Sequence, residues 1–194
     1  MSQGSVALLM LLLVLPACRP PSVGTQVPPV SLQATDGAVH ALPSGEGGAA
    51  FTVLVFSAWH CPCQNVHASR LDALYARYHA QERRERVDFF LVDSEVGGSL
   101  ADDAAKARER GYAFPVLLDP GAGLARRLHA EYATETFVVD RQGTVRYHGG
   151  IDSDRNKLHN DALPLLADAL DDLLAGKPLR SADTKALGCA LQTW

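Results

Sequence analysis

The segment FSAWHCPCQNVHASRL (56–71) sets two thiols, Cys61 and Cys63, one residue apart. They follow the β-branched, apolar run FTVLVFSA (51–58) and precede a helical pattern. A cysteine just ahead of a helix faces unpaired backbone N–H groups and the positive end of the helix dipole, and both favour the thiolate. Cys61 holds that place, with Pro62 a natural first helical residue, so Cys61 is the candidate nucleophile. Cys63, inside the first turn, is close enough to resolve a disulfide formed on Cys61. A Cys-x-Cys bond would close a small strained ring and be relatively oxidising. A third thiol, Cys189, lies beside Gly188 in an irregular C-terminal stretch. It either pairs with Cys61 or Cys63, within the chain or in trans, or is buried and inert.

His60 and His67 flank the pair. His67 falls four residues after Cys63, on the same helical face. Cys61, Cys63 and His67 therefore form an alternative soft-metal set, copper before zinc. Against that stands the plainer reading of His67 as a buried helix residue satisfied by a backbone carbonyl. His40, His79, His129, His148 and His159 suggest no ligand set by spacing.

These residues need elements to position them. Two short alternating segments around Asp36-Gly37 (30–42) predict a hairpin. Residues 51–58 and VDFFLVDS (87–94) read as strands buried on both faces. A helix is predicted from Pro62 to about residue 82, its apolar side marked by His67, Leu71, Leu74, Tyr75 and Tyr78. The mixed-sign run QERRER (81–86) reads as its solvated end. SLADDAAKARERGY (99–112) predicts a helix capped by Ser99 and ended near Gly111. FPVLLD (114–119) is a short strand and GAGLARRLHA (121–130) a short helix. TFVVD and TVRYHGG (136–140, 144–150) form a second hairpin around RQG. DALPLLADALDDLLAG (161–176) is the closing helix, with Pro164 in its first turn or marking its start. This order predicts an α/β fold, a mixed sheet with helices on both faces and an N-terminal β-hairpin.

At 194 residues, 47% apolar, the chain suits one domain with a real core. A net charge of −4 argues against a nucleic-acid partner. Residues 5–15 are apolar except for Ser5, the length of a signal-peptide core rather than a membrane span. The tail LPAC (15–18) resembles a bacterial lipobox, which implies lipidation of Cys18, although MSQGS carries no basic residue. The expected organisation is a signal peptide with lipobox (1–18), a proline-rich tether (19–29), the redox domain (30–176) and a tail carrying Cys189 (177–194). The expected location is the bacterial periplasm, with membrane contact only through the lipid anchor.

The segment FSAWHCPCQNVHASRL, followed in order by VDFFLVDSE, ARERGYAFPVLLDPGAGLARRL, TFVVDRQGTVRYHGGID and TKALGCAL, resembles the thioredoxin-fold redoxins of the alkyl hydroperoxide reductase/thiol-specific antioxidant (AhpC/TSA) type. Within these, it is similar to exported members with a Cys-Pro step and a Gly-Cys tail. The resemblance implies a thioredoxin-like fold and a thiol-based oxidoreductase, with Cys61 attacking and Cys63 or Cys189 resolving. Its substrate would be a protein disulfide or a peroxide, its electron source a thiol reductant in the exported compartment. Two departures bear on the reaction. One residue, not two, separates the thiols. The Thr and Pro that peroxiredoxins place ahead of their reactive Cys are here Ala58 and Val55, which favours disulfide exchange over peroxide reduction. A copper-binding or metallochaperone role is the non-enzymatic alternative; copper-delivery relatives keep a His before the FVVD-type strand, and His129 stands too early for it.

The resemblance also sets Thr134 where thioredoxin-like proteins carry a cis-proline opposite the active Cys. A non-proline cis bond costs about 3 kcal/mol, so Thr134 is expected to follow a trans bond or a cis bond held by its surroundings. Its hydroxyl would bond the Cys61 thiolate, and Glu135 would either accept a proton during exchange or point to solvent. The lipobox is tested by cell fractionation: the parent chain should stay with membranes and Cys18→Ala should not. Equal release of both forms would exclude the anchor.

Overall fold

The structure, a computed structural model, describes residues 23–80 and 85–193. The segment read as a signal peptide, Cys18 and most of QERRER lie outside the described residues. Seven strands and four helices follow in the order β1 (Val30–Gln33), β2 (Val39–Leu42), β3 (Phe51–Ser57), α1 (Pro62–His79), β4 (Val87–Asp93), α2 (Leu100–Arg110), β5 (Val116–Leu118), α3 (Gly123–Leu128), β6 (Thr136–Asp140), β7 (Val145–Gly149) and α4 (Leu165–Leu174). The main sheet has the order β5-β4-β3-β6-β7. Central β3 runs parallel to β4, from Phe51 opposite Val87 to Ser57 opposite Asp93, and antiparallel to β6. This is a thioredoxin-like mixed sheet, with β1–β2 as a separate antiparallel hairpin.

Alternation along β3 divides the core. Val53 and Val55 face Leu71 and Tyr78 of α1 and Leu166 and Leu170 of α4. Leu54 and Phe56 face the hairpin (Leu32, Leu42), Leu124 and Leu128 of α3, and both Cys61 and Cys63. A strand buried on both sides cannot alternate polar and apolar, which is why β3 reads as one apolar run. Among the described residues no helix is long and apolar enough to cross a membrane.

Local chemistry accounts for the helix ends. Ser99 accepts the Asp102 N–H at the start of α2, and Gly111 closes it in the left-handed region, at φ 73. The closing helix begins at Leu165 rather than at residue 161, with Pro164 in the cap position, the alternative in which the proline marks the start. A proline disfavours helical geometry in the residue before it, so Leu163 cannot open the helix. The segment expected to be one helix over 121–130 is a 3₁₀ turn, Pro120–Ala122, followed by α3. Asp119 holds this arrangement, its carboxylate accepting the N–H groups of Leu124 and Ala125 and the Ser94 hydroxyl.

Both ends of the described chain are docked. The described part of the tether, 23–29, is not a free spacer: Gly24 donates to Val145 O, Val145 to Thr25 O and Val27 to Gly143 O, which extends the β7 side of the sheet. The tail after α4 crosses the end of the sheet that carries the cysteine loop. His148 donates to Ala182 O and Thr184 to His148 O; then Ala133 donates to Cys189 O at 2.8 Å, Leu191 to Glu131 O, and Val96 to Gln192 O.

Gly188 lies so close to this pairing that a Cβ there would stand 1.7 Å from Ala133 O, a clash with backbone that no rotamer relieves. Gly188→Ala is therefore expected to detach the tail. Loss of about 1.4 kcal/mol of docking raises the open population about tenfold, and proteolysis follows that population. Trypsin cleavage after Lys185, followed by intact mass, should speed up by at least that factor in the variant.

Candidate active site

Cys61 is the N-cap of α1, in extended conformation (φ −80°, ψ 116°), with Pro62 at the first helical position. Its N–H donates to Ala58 O at 2.8 Å, and the Gln64 side chain folds back to accept the Ala58 N–H at 2.7 Å. These two bonds tie the turn between β3 and α1 so that the Cys61 sulfur lies over the free N–H groups of the first turn. Cys61 is fully buried and Cys63 nearly so.

The tail completes the site. The sulfurs of Cys61, Cys63 and Cys189 all lie within 4.8 Å of one another, and all three thiols are free. They do not share a proton affinity. Burial works against a charge on Cys61, but the Cys189 thiol and the Gln64 N–H donate to its sulfur, and the outcome is a thiol below its ordinary range. Cys63 is pushed up by burial and by the neighbouring Cys61 charge, with Arg155 partly countering. Cys189 is pushed up to about 12, because it holds its proton in the bond to Cys61 and is itself partly buried. The arrangement makes Cys61 the most readily ionised of the three, with two thiols of raised pKa beside it.

Thr134 and Glu135 sit at the start of β6, opposite the cysteine loop. The cis peptide bond among the described residues is Leu42–Pro43, so Thr134 follows a trans bond. It adopts φ 68°, uncommon for a β-branched residue, and is kept there by Thr134 N–H to Phe56 O at 2.8 Å and Phe56 N–H to Glu135 O at 2.9 Å. These bonds give Thr134 a backbone role in placing the strand opposite Cys61.

Glu135 does not point to solvent: it is buried, and both carboxylate oxygens are bonded. Oε2 accepts the N–H groups of Glu131 and Tyr132 at 2.7 and 3.0 Å, and Oε1 meets His148 Nε2 at 2.7 Å. His148 Nδ1 faces Asp183 of the tail. With a carboxylate at each nitrogen the ring is an imidazolium; burial opposes that charge, but Glu135 outweighs it and raises the pKa. Glu135 thus shapes the 131–133 loop on which Cys189 docks. Its ion pair is complete below the ordinary His pKa and is lost as pH rises through the raised folded value.

His67 does not join the thiols. Nδ1 donates to Cys63 O at 2.7 Å and Nε2 bonds Asp152 at 3.1 Å, with Arg70 on the same carboxylate. Both ring nitrogens are taken, which removes His67 from the metal set read from the sequence. His60 is half-exposed and lies 3.6 Å from Glu95.

Three participants escape notice in the sequence. Arg155, on the loop after β7, reaches the Cys63 sulfur from 92 positions away. Gln64 looks like any helix residue, yet it ties the turn. Trp59 is anchored by its indole N–H to the buried Asp103 carboxyl at 2.7 Å and flanked by the cations of Lys106 and Arg110, 5.7 and 5.3 Å from the ring. Burial and the nearby Asp93 push Asp103 up to about 7. Only the spacing of Asp103, Lys106 and Arg110 on one face of α2 hinted at this clamp.

A sequence profile described as the AhpC/TSA family matches residues 23–148. A search of curated proteins gives no match. Among solved structures, an uncharacterised conserved protein from Geobacillus kaustophilus is 27% identical, with a TM-score of 0.73, covering 90% of this chain and 93% of its own. The peroxidoxin BcpB from Mycobacterium tuberculosis is 20% identical with a TM-score of 0.59, covering 81% and 99%. StoA from Bacillus subtilis is 18% identical with a TM-score of 0.51, covering 62% and 86%.

In the reduced protein, ultraviolet thiolate absorbance against pH should show Cys61 ionising first and Cys189 last. Cys189→Ala removes the donor to Cys61 and should move the first midpoint upward. A first midpoint that vanishes in Cys63→Ala and persists in Cys61→Ala would reverse the assignment.

Proposed function

The chain belongs to the AhpC/TSA family, and from that premise we propose that it is a thiol-disulfide oxidoreductase in which Cys61 attacks and Cys189 resolves. The observation that carries this reading is the Cys189 sulfur, brought within 4.8 Å of Cys61 by a tail docked through backbone bonds. The Cys61 thiolate attacks one sulfur of a substrate disulfide; the S–S bond breaks and the other substrate sulfur leaves as thiolate. Cys189 then loses its proton to that thiolate and attacks the Cys61 sulfur, expelling the second substrate sulfur as thiolate, which takes a proton from solvent. The substrate ends as two thiols, and the protein carries a Cys61–Cys189 disulfide, two electrons more oxidised.

The uneven proton affinities suit this order. The thiolate is ready on the attacking residue, while the resolving thiol stays protonated until a leaving thiolate can take its proton. Cys63, beside Arg155, is nearer in sequence but geometrically less favourable as resolver, because a Cys61–Cys63 bond closes a strained ring. If the lipobox reading holds, the reaction takes place at an exported membrane surface, with a thiol reductant there restoring the protein.

Mass mapping of the non-reduced protein after reaction with a disulfide substrate is expected to give a Cys61–Cys189 peptide pair. Cys189→Ser should accumulate the mixed disulfide and lose turnover by about 10²-fold or more, the advantage of an intramolecular attack. Cys61→Ser should be inactive. The bond closes a loop of about 128 residues, so the oxidised form should melt higher, by roughly 4–5 kcal/mol in the chain-entropy account. Rapid peroxide consumption with a Cys61 sulfenic acid, and slow disulfide exchange, would replace this reading with a peroxidase.

A further inference from the structure

Three sulfurs in one cluster are one more than disulfide chemistry consumes. Once Cys61 and Cys189 pair, Cys63 has no part in the proposed cycle, yet it is buried against both of them. The cluster draws on two separate supports: Cys61 and Cys63 on the first turn of α1, and Cys189 on a segment fixed by the Ala133–Cys189 backbone bond and by Gly188. A set of ligand atoms held on independent rigid supports, without coming together in a bond, is the form of a coordination site.

The donor set is all sulfur. Among the described residues the Cys61–Cys63–Cys189 group gains no fourth His, Asp or Glu donor; His67 is bonded through both nitrogens and His60 faces Glu95. Metal–sulfur bonds of about 2.3 Å place trigonal ligands about 4 Å apart, within the 4.8 Å limit that the three sulfurs satisfy. Thiolate-only coordination selects soft ions, and zinc takes four ligands, the fourth from protein in structural sites and from water in open ones. Three sulfurs without a fourth protein donor, two of them on buried residues, therefore favour cuprous copper over zinc.

Charge is met locally. A three-thiolate site around a monovalent ion is net negative, and the helix N-terminus and Arg155 beside Cys63 supply positive potential. We infer that reduced Cys61, Cys63 and Cys189 form a trigonal cuprous-ion site. Each sulfur joins the ion as a thiolate, any proton it still carries passing to solvent, and the copper keeps its oxidation state. This inference shares its sulfurs with the proposed exchange reaction but does not require it. The two are exclusive in any one molecule, because the Cys61–Cys189 disulfide leaves a single thiol.

The test is anaerobic competition of the full-length reduced protein against bicinchoninate for Cu(I), with X-ray absorption on the loaded form. The expected result is one ion per chain with three sulfur neighbours and no nitrogen. Cys189→Ser and Cys63→Ser should each weaken binding by more than the 10–100-fold that loss of an outer-shell partner costs, His67→Gln should leave affinity within a few-fold, and protein oxidised to the Cys61–Cys189 form should bind none at this site. Cys189→Ser that binds as tightly as the parent, a nitrogen neighbour lost in His67→Gln, or tighter binding of Zn(II) than Cu(I) would each overturn the site. If Cys189→Ser loses disulfide turnover yet keeps full copper affinity, the metal site falls and the exchange reaction stands; the opposite pattern spares the metal site and removes Cys189 from the reaction.

Discussion

A sulfur anion taken out of water must be given donors, and the site is organised around that requirement. Burial alone drives a thiol towards its neutral form. Cys61 escapes this because its position at the start of α1 offers backbone N–H groups, and because a second thiol is delivered to it from the far end of the chain. The β3–α1 turn, the side-chain tie from Gln64 to Ala58 and the Trp59–Asp103 clamp all hold the first contribution in place. The loop shaped by Glu135 and the close packing at Gly188 hold the second.

The same requirement explains why the polar residues around the sulfurs are occupied. Glu135 is spent on loop N–H groups and His148, His67 on a carbonyl and Asp152, and Arg70 on Asp152 and Asp154. In a low-dielectric site an uncommitted carboxylate beside a thiolate would raise its pKa and undo the arrangement. Tying each acid to its own donors keeps it off the sulfur. Arg155, a charged group that does reach a sulfur there, has the sign that helps.

Short-range signals were legible in the sequence and long-range ones were not. The Asp36-Gly37 hairpin, the buried strand before Cys61, and the Ser99 and Gly111 helix ends depend on residues within a few positions of one another, and each stands where its local chemistry puts it. Cys61 could be singled out because a helix N-terminus is a local feature. That Cys189 docks followed from its tail being apolar; the residues it docks on, Ala133 and the loop that Glu135 shapes, depend on tertiary pairing that no spacing reveals. The plainer reading of His67, a buried helix residue bonded to a backbone carbonyl, matches its bond to Cys63 O. The His148 partner of Glu135 and the Asp152 partner of the second His67 nitrogen lie 13 and 85 positions away, where no spacing points to them. The late start of α4 was readable, since Pro164 restricts Leu163, but helical periodicity extends past it and masks the boundary.

Tail docking also has a kinetic meaning. A thiol held a few ångströms from its target acts at an effective concentration of about 10⁵ M or more when well aligned, far beyond that of any dissolved thiol. A covalent adduct formed on Cys61 would therefore be cleared by the neighbouring sulfur before a second molecule could intercept it. In the proposed exchange reaction, partition between completion and escape would be settled within the chain, and half-reacted partners would not accumulate while the tail stays in place. The backbone bond from Ala133 to Cys189, which touches no sulfur, would thereby govern how long an intermediate on Cys61 survives.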